Sequence, residues 1–215
     1  MAGGNDFAKG TKAPEHKLDG SKLKILIVHA RWNAEIVDEL VSGAREALLG
    51  HGVRAANIVE RSVSGAYELP GAALKLVRQS QRESTNLVSG IVEDFLTSAS
   101  ATATAAVTGA KPGAGSEESD EADNDVTTAG PFDAVICVGV LIKGSTMHFE
   151  YIADAVSHGI MRVGLDTGVP TVFGVLTCLT DAQALQRAGL GSGPENHNHG
   201  ADWGTAAVDM ALLAL

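Results

Sequence analysis

Cysteine is scarce in this chain of 215 residues, and no apolar run approaches the length of a membrane span. The two cysteines, Cys137 and Cys178, both lie in apolar, strand-like runs, which favours small buried side chains over a disulfide. The first residues are rich in Gly and Lys and lack the apolar core of a signal peptide. These absences predict a cytoplasmic protein without a membrane partner.

Basic charge is also in short supply, with 16 Lys and Arg against 26 Asp and Glu, so the formal net charge is −10. A general nucleic-acid binder usually carries a basic stripe, so the sequence argues against a nucleic-acid partner. Apolar residues make up 45% of the chain, which is enough for a hydrophobic core. The length favours one domain.

Two segments depart from this pattern. Residues 1–21 lack hydrophobic periodicity and are interpreted as a flexible N-terminal arm that precedes a domain over 22–215. Residues 82–130 interrupt that domain with Ala/Thr/Ser, Gly/Pro and then acidic composition. Such a segment buries too little apolar surface to offset its ordering entropy, so we expect a solvated insertion loop.

The remainder alternates between strand and helix patterns. Continuous apolar runs predict strands over 23–30, 132–142 and 169–178, with a weaker one over 57–63. Helical spacing predicts helices after the expected N-cap Asn33, from Pro70, over 149–164, from 180 or 181 to 187, and at the C-terminus from about Ala207. This alternation predicts an α/β fold of about four parallel strands with helices on both faces.

Polar loops follow each predicted strand, at 29–33, 64–71, 141–148 and 176–181. The carboxyl ends of parallel strands share one edge of a sheet, so these loops are candidates for a single site. In the third loop, Gly144, Ser145 and Thr146 lead into a helix start, where free N–H groups favour an anion. A simple helix cap explains them equally well. His148, two residues after Thr146, could transfer a proton near neutral pH.

Other candidates each have a structural alternative. Trp32 could stack on a flat heterocycle or pack on a helix. Glu68 could bind the hydroxyls of a polyol or complement a helix dipole, and Arg187 could clamp a phosphate or end a short helix. His197 and His199 lie in a Gly-rich loop without Cys or acids at recognised ligand spacing, so we expect no metal site.

The stretches SGAYELP, GVLIKGSTMHFEYI, GLDTGVPTVFGVLT and ALQRAG, in this order along the chain, resemble the lumazine synthase family, and HNHGADWG and IVHARWN resemble its fungal branch. The resemblance spans residues 23–215 apart from the acidic insert. It implies a flavodoxin-like three-layer α-β-α sandwich and a homo-oligomer, at least a pentamer, with active sites between adjacent subunits. It also implies condensation of 5-amino-6-(D-ribitylamino)uracil with 3,4-dihydroxy-2-butanone 4-phosphate to 6,7-dimethyl-8-ribityllumazine, without a cofactor or metal.

The resemblance also implies roles for individual residues. His148 would be the proton-transferring catalytic residue. The substrate-binding positions are Trp32, Ala66, Tyr67, Glu68, Leu141, Ile142, Lys143, Phe173 and His199. The phosphate-binding positions are Gly144, Ser145, Thr146 and Arg187. Phe173 and Arg187 would come from the neighbouring subunit.

Two departures from the family pattern stand out. His199 occupies a position where many bacterial members carry Lys, and the 82–130 insert is longer than the family core needs. We expect this insert to obstruct the packing of pentamers into larger shells. Two other functions stay open at this level: a flavin-binding module and a shell-forming scaffold with a vestigial site.

Overall fold

The computed structural model describes residues 17–86, 89 and 130–213, which form a parallel sheet between two layers of helices. The strands are β1 (Ile25–Ala30), β2 (Ile58–Val63), β3 (Ala134–Ile142) and β4 (Thr171–Cys178). The helices are α1 (Ala34–Gly50), α2 (residues 69–86), α3 (His148–Thr167), α4 (Asp181–Arg187) and α5 (His199–Leu213). Single 3₁₀ turns occur at Ala55–Asn57 and Ala66–Glu68.

The strands pair in the order β2-β1-β3-β4, and every pairing is parallel. This confirms the predicted α/β fold and matches the flavodoxin-like order. The chain order reverses between β1 and β3, so the loops after these two strands diverge to opposite faces. Ligands of open α/β sheets bind in the crevice at this point, beyond the carboxyl ends of the strands.

Successive residues of the buried strands point to opposite faces of the sheet. Ile25 and Ile27 pack in a cluster with α1, α4 and α5, whereas Leu26 and Val28 pack in a second cluster with α2 and α3. All four side chains are fully buried. The continuous apolar run of β1 therefore follows from the sheet being covered on both sides.

Helices α1 and α5 approach each other closely because glycines line their contact. A Cβ at Gly200 would lie 1.9 Å from the carbonyl oxygen of Leu40, and one at Gly204 would lie 2.5 Å from that of Ala44. Asn198, just before α5, donates from Nδ2 to the carbonyl of Glu39 (2.9 Å) and accepts from the N–H of Gly200 (2.8 Å). The start of α5 is thereby fixed on α1.

One helix cap and one helix start differ from the sequence-based expectation. Asn33 occupies the N-cap position of α1 as predicted, but it has φ 61° and makes no side-chain cap bond. Its Nδ2 instead donates to the carbonyl of Val140 in β3 (3.0 Å). The last helix begins at His199, well before Ala207. Its Gly-rich first turn resembles a loop in sequence, yet the glycines serve the α1 contact.

The expected arm and insert lie largely outside the described residues, which omit 1–16, 87–88, 90–129 and 214–215. At the end of the arm, Leu18 is buried and the N–H of Gly20 donates to the carbonyl of His51 (2.8 Å). Residues 82–86, at the start of the insert, continue helix α2. No helix among the described residues has both the length and the apolar character to cross a membrane.

Both cysteines are free and buried, as predicted. Burial raises the pKa of the Cys137 thiol to about 12. Burial also raises the pKa of Cys178, although the nearby Arg187 opposes that shift. Cys137 therefore behaves as a small core side chain rather than a nucleophile.

Candidate active site

A cleft of about 580 Å³ opens at the carboxyl ends of β1 and β3, where the strand order reverses. It brings together residues from all four predicted loops. The predicted site residues that line it are Trp32, Ala66, Tyr67, Glu68, Leu141, Ile142, Gly144, Thr146 and His148. The structure therefore gathers nine of the predicted residues in one cleft.

Trp32 stands at the rim of the cleft with 72% of its surface exposed. The backbone N–H groups of Arg31 and Trp32 donate to the carbonyls of Val63 (2.8 Å) and Ser64 (3.2 Å), which extends the β1–β2 pairing to the indole. The left-handed turn at Asn33 then redirects the chain into α1. The backbone of Trp32 is therefore fixed by the bonds to β2 before it and by the turn at Asn33 after it. Its flat indole ring faces the cleft, which suits stacking on a planar heterocycle.

The turn Ala66–Glu68 forms the second wall. Ala66 is buried, while Tyr67 and Glu68 are exposed toward the cleft. Glu68 Oε2 accepts from the N–H of Gly65 (2.9 Å), so the carboxylate is oriented by its own turn. Its second oxygen stays available as an acceptor for hydroxyl groups.

The hydroxyl loop, residues 143–147, forms the third wall and leads into α3. The N–H of Lys143 donates to the carbonyl of Cys178 (2.9 Å), so β3 and β4 stay paired up to the loop. Lys143 Nζ bonds Glu150, and this bond is the largest cause of the lowered pKa of that carboxyl. Lys143 thus points to Glu150, and it does not line the cleft.

His148 is the first residue of α3 and is exposed at the cleft. Its backbone N–H lies 3.4 Å from Thr146 Oγ1. The first turn of a 20-residue helix offers free N–H groups and the positive end of the helix dipole. The loop can therefore hold an anion next to an imidazole that is able to transfer protons.

Five predicted site residues do not line this cleft: Lys143, Ser145, Phe173, Arg187 and His199. Phe173 lies on the edge strand β4 and is 40% exposed. Arg187 ends α4 and His199 begins α5, and their side chains meet, with Nη1 3.4 Å from Nε2. A single chain therefore does not complete the predicted site.

The structure adds lining residues that the sequence analysis did not select, among them Asn33, Phe149, Ile152 and Asp181. Asn33 and Asp181 belong to loops already placed at the sheet edge, so their position was a usable signal. Phe149 and Ile152 were assigned only to the predicted helix over 149–164. The direction in which α3 leaves the hydroxyl loop turns its first two turns toward the cleft, and this direction could not be read from the sequence.

A second polar cluster lies where α4 meets α5. Asp202 Oδ2 lies 2.8 Å from His197 Nε2 and 3.2 Å from His199 Nδ1. In the described part of the chain, these three residues form the group whose potential metal-ligand atoms lie within 4.8 Å of one another. From the sequence, we expected no acid at recognised ligand spacing beside His197 and His199. In the structure, Asp202 lies next to both imidazoles.

Comparisons with known proteins identify the family to which the chain is similar. The family model described as 6,7-dimethyl-8-ribityllumazine synthase matches residues 22–110 and 114–214. A 6,7-dimethyl-8-ribityllumazine synthase of Pyricularia oryzae is 49% identical over 205 residues, covering 95% of this chain and 93% of the relative.

Two further relatives carry the same name. That of Schizosaccharomyces pombe is 43% identical over 208 residues, covering 96% of this chain and 98% of the relative. That of Kineococcus radiotolerans is 36% identical over 203 residues, covering 94% and 89%. The resemblance seen in the motifs is therefore confirmed along nearly the whole sequence, and the chain belongs to the 6,7-dimethyl-8-ribityllumazine synthase family.

Proposed function

We propose that the chain condenses 5-amino-6-(D-ribitylamino)uracil with 3,4-dihydroxy-2-butanone 4-phosphate to give 6,7-dimethyl-8-ribityllumazine, a step of riboflavin biosynthesis. The observation that carries the proposal is the cleft itself. It joins an exposed indole, a carboxylate turn and a hydroxyl loop that ends in an imidazole. These groups suit a heterocycle, a polyol chain and a phosphorylated ketone, in that order.

The pyrimidine substrate is assigned to the β1 and β2 side of the cleft. Trp32 stacks on its ring, and Leu141 and Ile142 supply the apolar floor. The ribityl hydroxyls face Glu68, whose free carboxylate oxygen accepts from them. Ala66 and Tyr67 complete this wall, and Lys143 anchors the loop through its bond to Glu150.

The butanone phosphate is assigned to the hydroxyl loop. The N–H groups at the start of α3 and the Thr146 hydroxyl donate to phosphate oxygens, with Gly144 and Ser145 as further contacts. Arg187 of an adjacent subunit supplies the guanidinium. Phosphate is thereby oriented for departure.

The reaction needs orientation and one proton-transferring group. The pyrimidine amine attacks the ketone, and loss of water gives a Schiff base. Elimination then breaks the C–O bond to phosphate, and ring closure with loss of a second water forms the lumazine. His148 moves the protons of these steps, and most of the rate arises from holding two substrates in contact.

The direct test mixes the purified protein with both substrates and follows the absorbance and fluorescence of the lumazine. Product that depends on the butanone phosphate supports the proposal. A folded protein that yields no product, yet binds riboflavin tightly, would favour the flavin-binding alternative instead.

We further propose a homo-oligomer, a pentamer, with each site shared between adjacent subunits. Phe173, Arg187 and His199 lie outside the cleft of their own chain, which suits donation to a neighbour. Helix α3 also exposes Tyr151, Met161 and Leu165, and apolar exposure of this kind suits burial between subunits.

Hybrid oligomers test the sharing. Co-expressed His148→Ala and Arg187→Ala chains produce some interfaces with an intact His148 on one side and an intact Arg187 on the other. We expect activity above that of either parent, and native mass spectrometry to report five subunits. Hybrids no more active than the parents would contradict a shared site.

Two remaining parts of the proposal concern organisation and location. The arm over 1–21 precedes the catalytic domain over 22–215, and the insert over 82–130 interrupts it. Deleting residues 90–129 should preserve turnover.

The two free buried cysteines suit the reducing cytoplasm. Fluorescence microscopy of a tagged chain tests that location.

A further inference from the structure

The polar cluster formed by His197, His199 and Asp202 contributes only His199 to the shared site proposed above. It is brought to Arg187 by the closure of the loop between α4 and α5. Ala188 and Asn198 form an antiparallel bridge, and the N–H of His197 donates to the carbonyl of Gln186 (2.9 Å). The first turn of α5 therefore lies beside the last residue of α4.

The contact between Arg187 and His199 fixes where the imidazole carries its proton. A guanidinium has donors but no acceptor, so Nη1 of Arg187, 3.4 Å from His199 Nε2, can only donate. Nε2 must then accept, and the proton of the neutral ring lies on Nδ1. That nitrogen lies 3.2 Å from Asp202 Oδ2, which can only accept when ionised.

The environment of His199 favours the neutral ring that this arrangement needs. Its pKa is lowered first by burial, and the charges of Arg187 and His197 act in the same direction, against the raising effect of Asp202. Asp202 is itself held by a second contact, since its Oδ2 lies 2.8 Å from His197 Nε2. The edge-to-face stacking of the two imidazoles, 5.1 Å between centroids, adds to this order.

A metal ion is the other chemistry that these three side chains could serve. A metal bound at His199 Nδ1 would place the ring proton on Nε2, directly opposite the N–H of Arg187. Two donors would then face each other at 3.4 Å. The donor-only guanidinium therefore favours the hydrogen-bonded arrangement over a metal centre.

We propose that His199 and Asp202 are positioning residues that orient the Arg187 guanidinium for the phosphorylated substrate. The identity of that ligand rests on the proposed function. Asp202 fixes the tautomer of His199, and His199 in turn holds one edge of the guanidinium while the other nitrogens stay free for phosphate. His197 acts indirectly, through its contact with the Asp202 carboxylate.

The tautomer is measured directly, without any substrate. Solid-state ¹⁵N NMR of histidine-labelled protein at pH 7.5, with His199→Gln to assign the resonance, distinguishes the two neutral forms. We expect His199 with its proton on Nδ1, and a shift toward the Nε2–H form in Asp202→Asn. A wild-type ring protonated on Nε2, or no change in the variant, would overturn the proposal.

Steady-state kinetics test the positioning itself. In Asp202→Asn we expect KM for the butanone phosphate to rise on the order of tenfold, the effect of weakening one hydrogen bond to a charged group. We expect kcat and KM for the pyrimidine to stay within about twofold of wild type. Asp202→Glu, which keeps the carboxylate, should recover part of the loss.

Asp209→Asn is the matched control, because it makes the same change of charge two turns further along α5. It should leave all three constants unaltered. If both Asn variants behave alike, or if Asp202→Asn lowers kcat with KM unaltered, Asp202 does not position Arg187. If no lumazine forms at all, the proposed function fails, while the NMR result still decides the tautomer.

Discussion

Replacing Gly200 by alanine should loosen the packing of α5 on α1. The added Cβ would lie 1.9 Å from the carbonyl oxygen of Leu40, which is backbone and cannot rotate away. Relief requires the two helices to separate by about 1 Å in a close-packed interface. The same shift would strain the hydrogen bond from Asn198 Nδ2 to the carbonyl of Glu39, which joins the start of α5 to α1.

Two opposing terms set the size of the effect. Alanine in place of glycine favours the helix by up to about 1 kcal/mol. Overpacking costs roughly 1–3 kcal/mol, and more where backbone must move. We expect a net loss of about 2 kcal/mol, which corresponds to a fall in Tm of roughly 4–8 °C for a chain of this length.

Urea unfolding followed by tryptophan fluorescence measures the loss, with all proteins at the same protomer concentration because assembly affects apparent stability. Gly50→Ala is the control: Gly50 ends α1, and a Cβ there meets nothing within 4 Å. It should be neutral or stabilising by up to ~1 kcal/mol. A Gly200→Ala protein as stable as Gly50→Ala would refute the packing argument.

Three further results are expected. His148→Ala should lower kcat by about 10- to 100-fold with both KM values nearly unaltered, because binding and proximity persist; an unchanged pH–rate profile would argue against proton transfer by His148. Cys137 should resist a thiol reagent at pH 8 until urea unfolds the chain, since burial raises its pKa to about 12, and fast labelling of the native protein would show the thiol to be accessible. The imidazole of His199 should titrate below its ordinary value of 6.5 in NMR, because burial lowers its pKa. The unfolded ring then binds its proton more tightly, so the stability that His199 contributes is complete above pH 6.5 and is lost as the pH falls toward its lower folded pKa; an equal stability slope in His199→Gln would contradict this linkage.

The central strands β1 and β3 could be predicted from sequence because both of their faces are buried. A continuous apolar run such as 134–140, which follows the insert and precedes the hydroxyl loop, leaves few alternatives to a buried strand, and the structure places β3 there. The start of α5 could not be predicted in the same way. Gly200 and Gly204 oppose a helix by local propensity, yet contact with α1 requires residues without a Cβ.

The residues of the candidate site also differ in whether the sequence alone could predict them. Trp32, Glu68 and His148 were found because they lie in loops that follow parallel strands, and the carboxyl ends of parallel strands share one edge of the sheet. This rule requires only that the strands are recognised and are parallel. Asp202 was missed because its proximity to His197 depends on where the last helix begins. The partnership of Lys143 with Glu150, seven residues later, likewise depends on how α3 leaves its loop.

The bond from Asn33 to Val140 carries a lesson for engineering. It links the segment that carries the Trp32 indole to β3, the strand that leads into the hydroxyl loop. The bond therefore fixes the two walls of the cleft relative to each other. A graft of the Trp32 loop from a relative would have to include Asn33 and its left-handed turn. Without that tether, the transplanted ring would keep its chemistry but lose its alignment with the opposite wall.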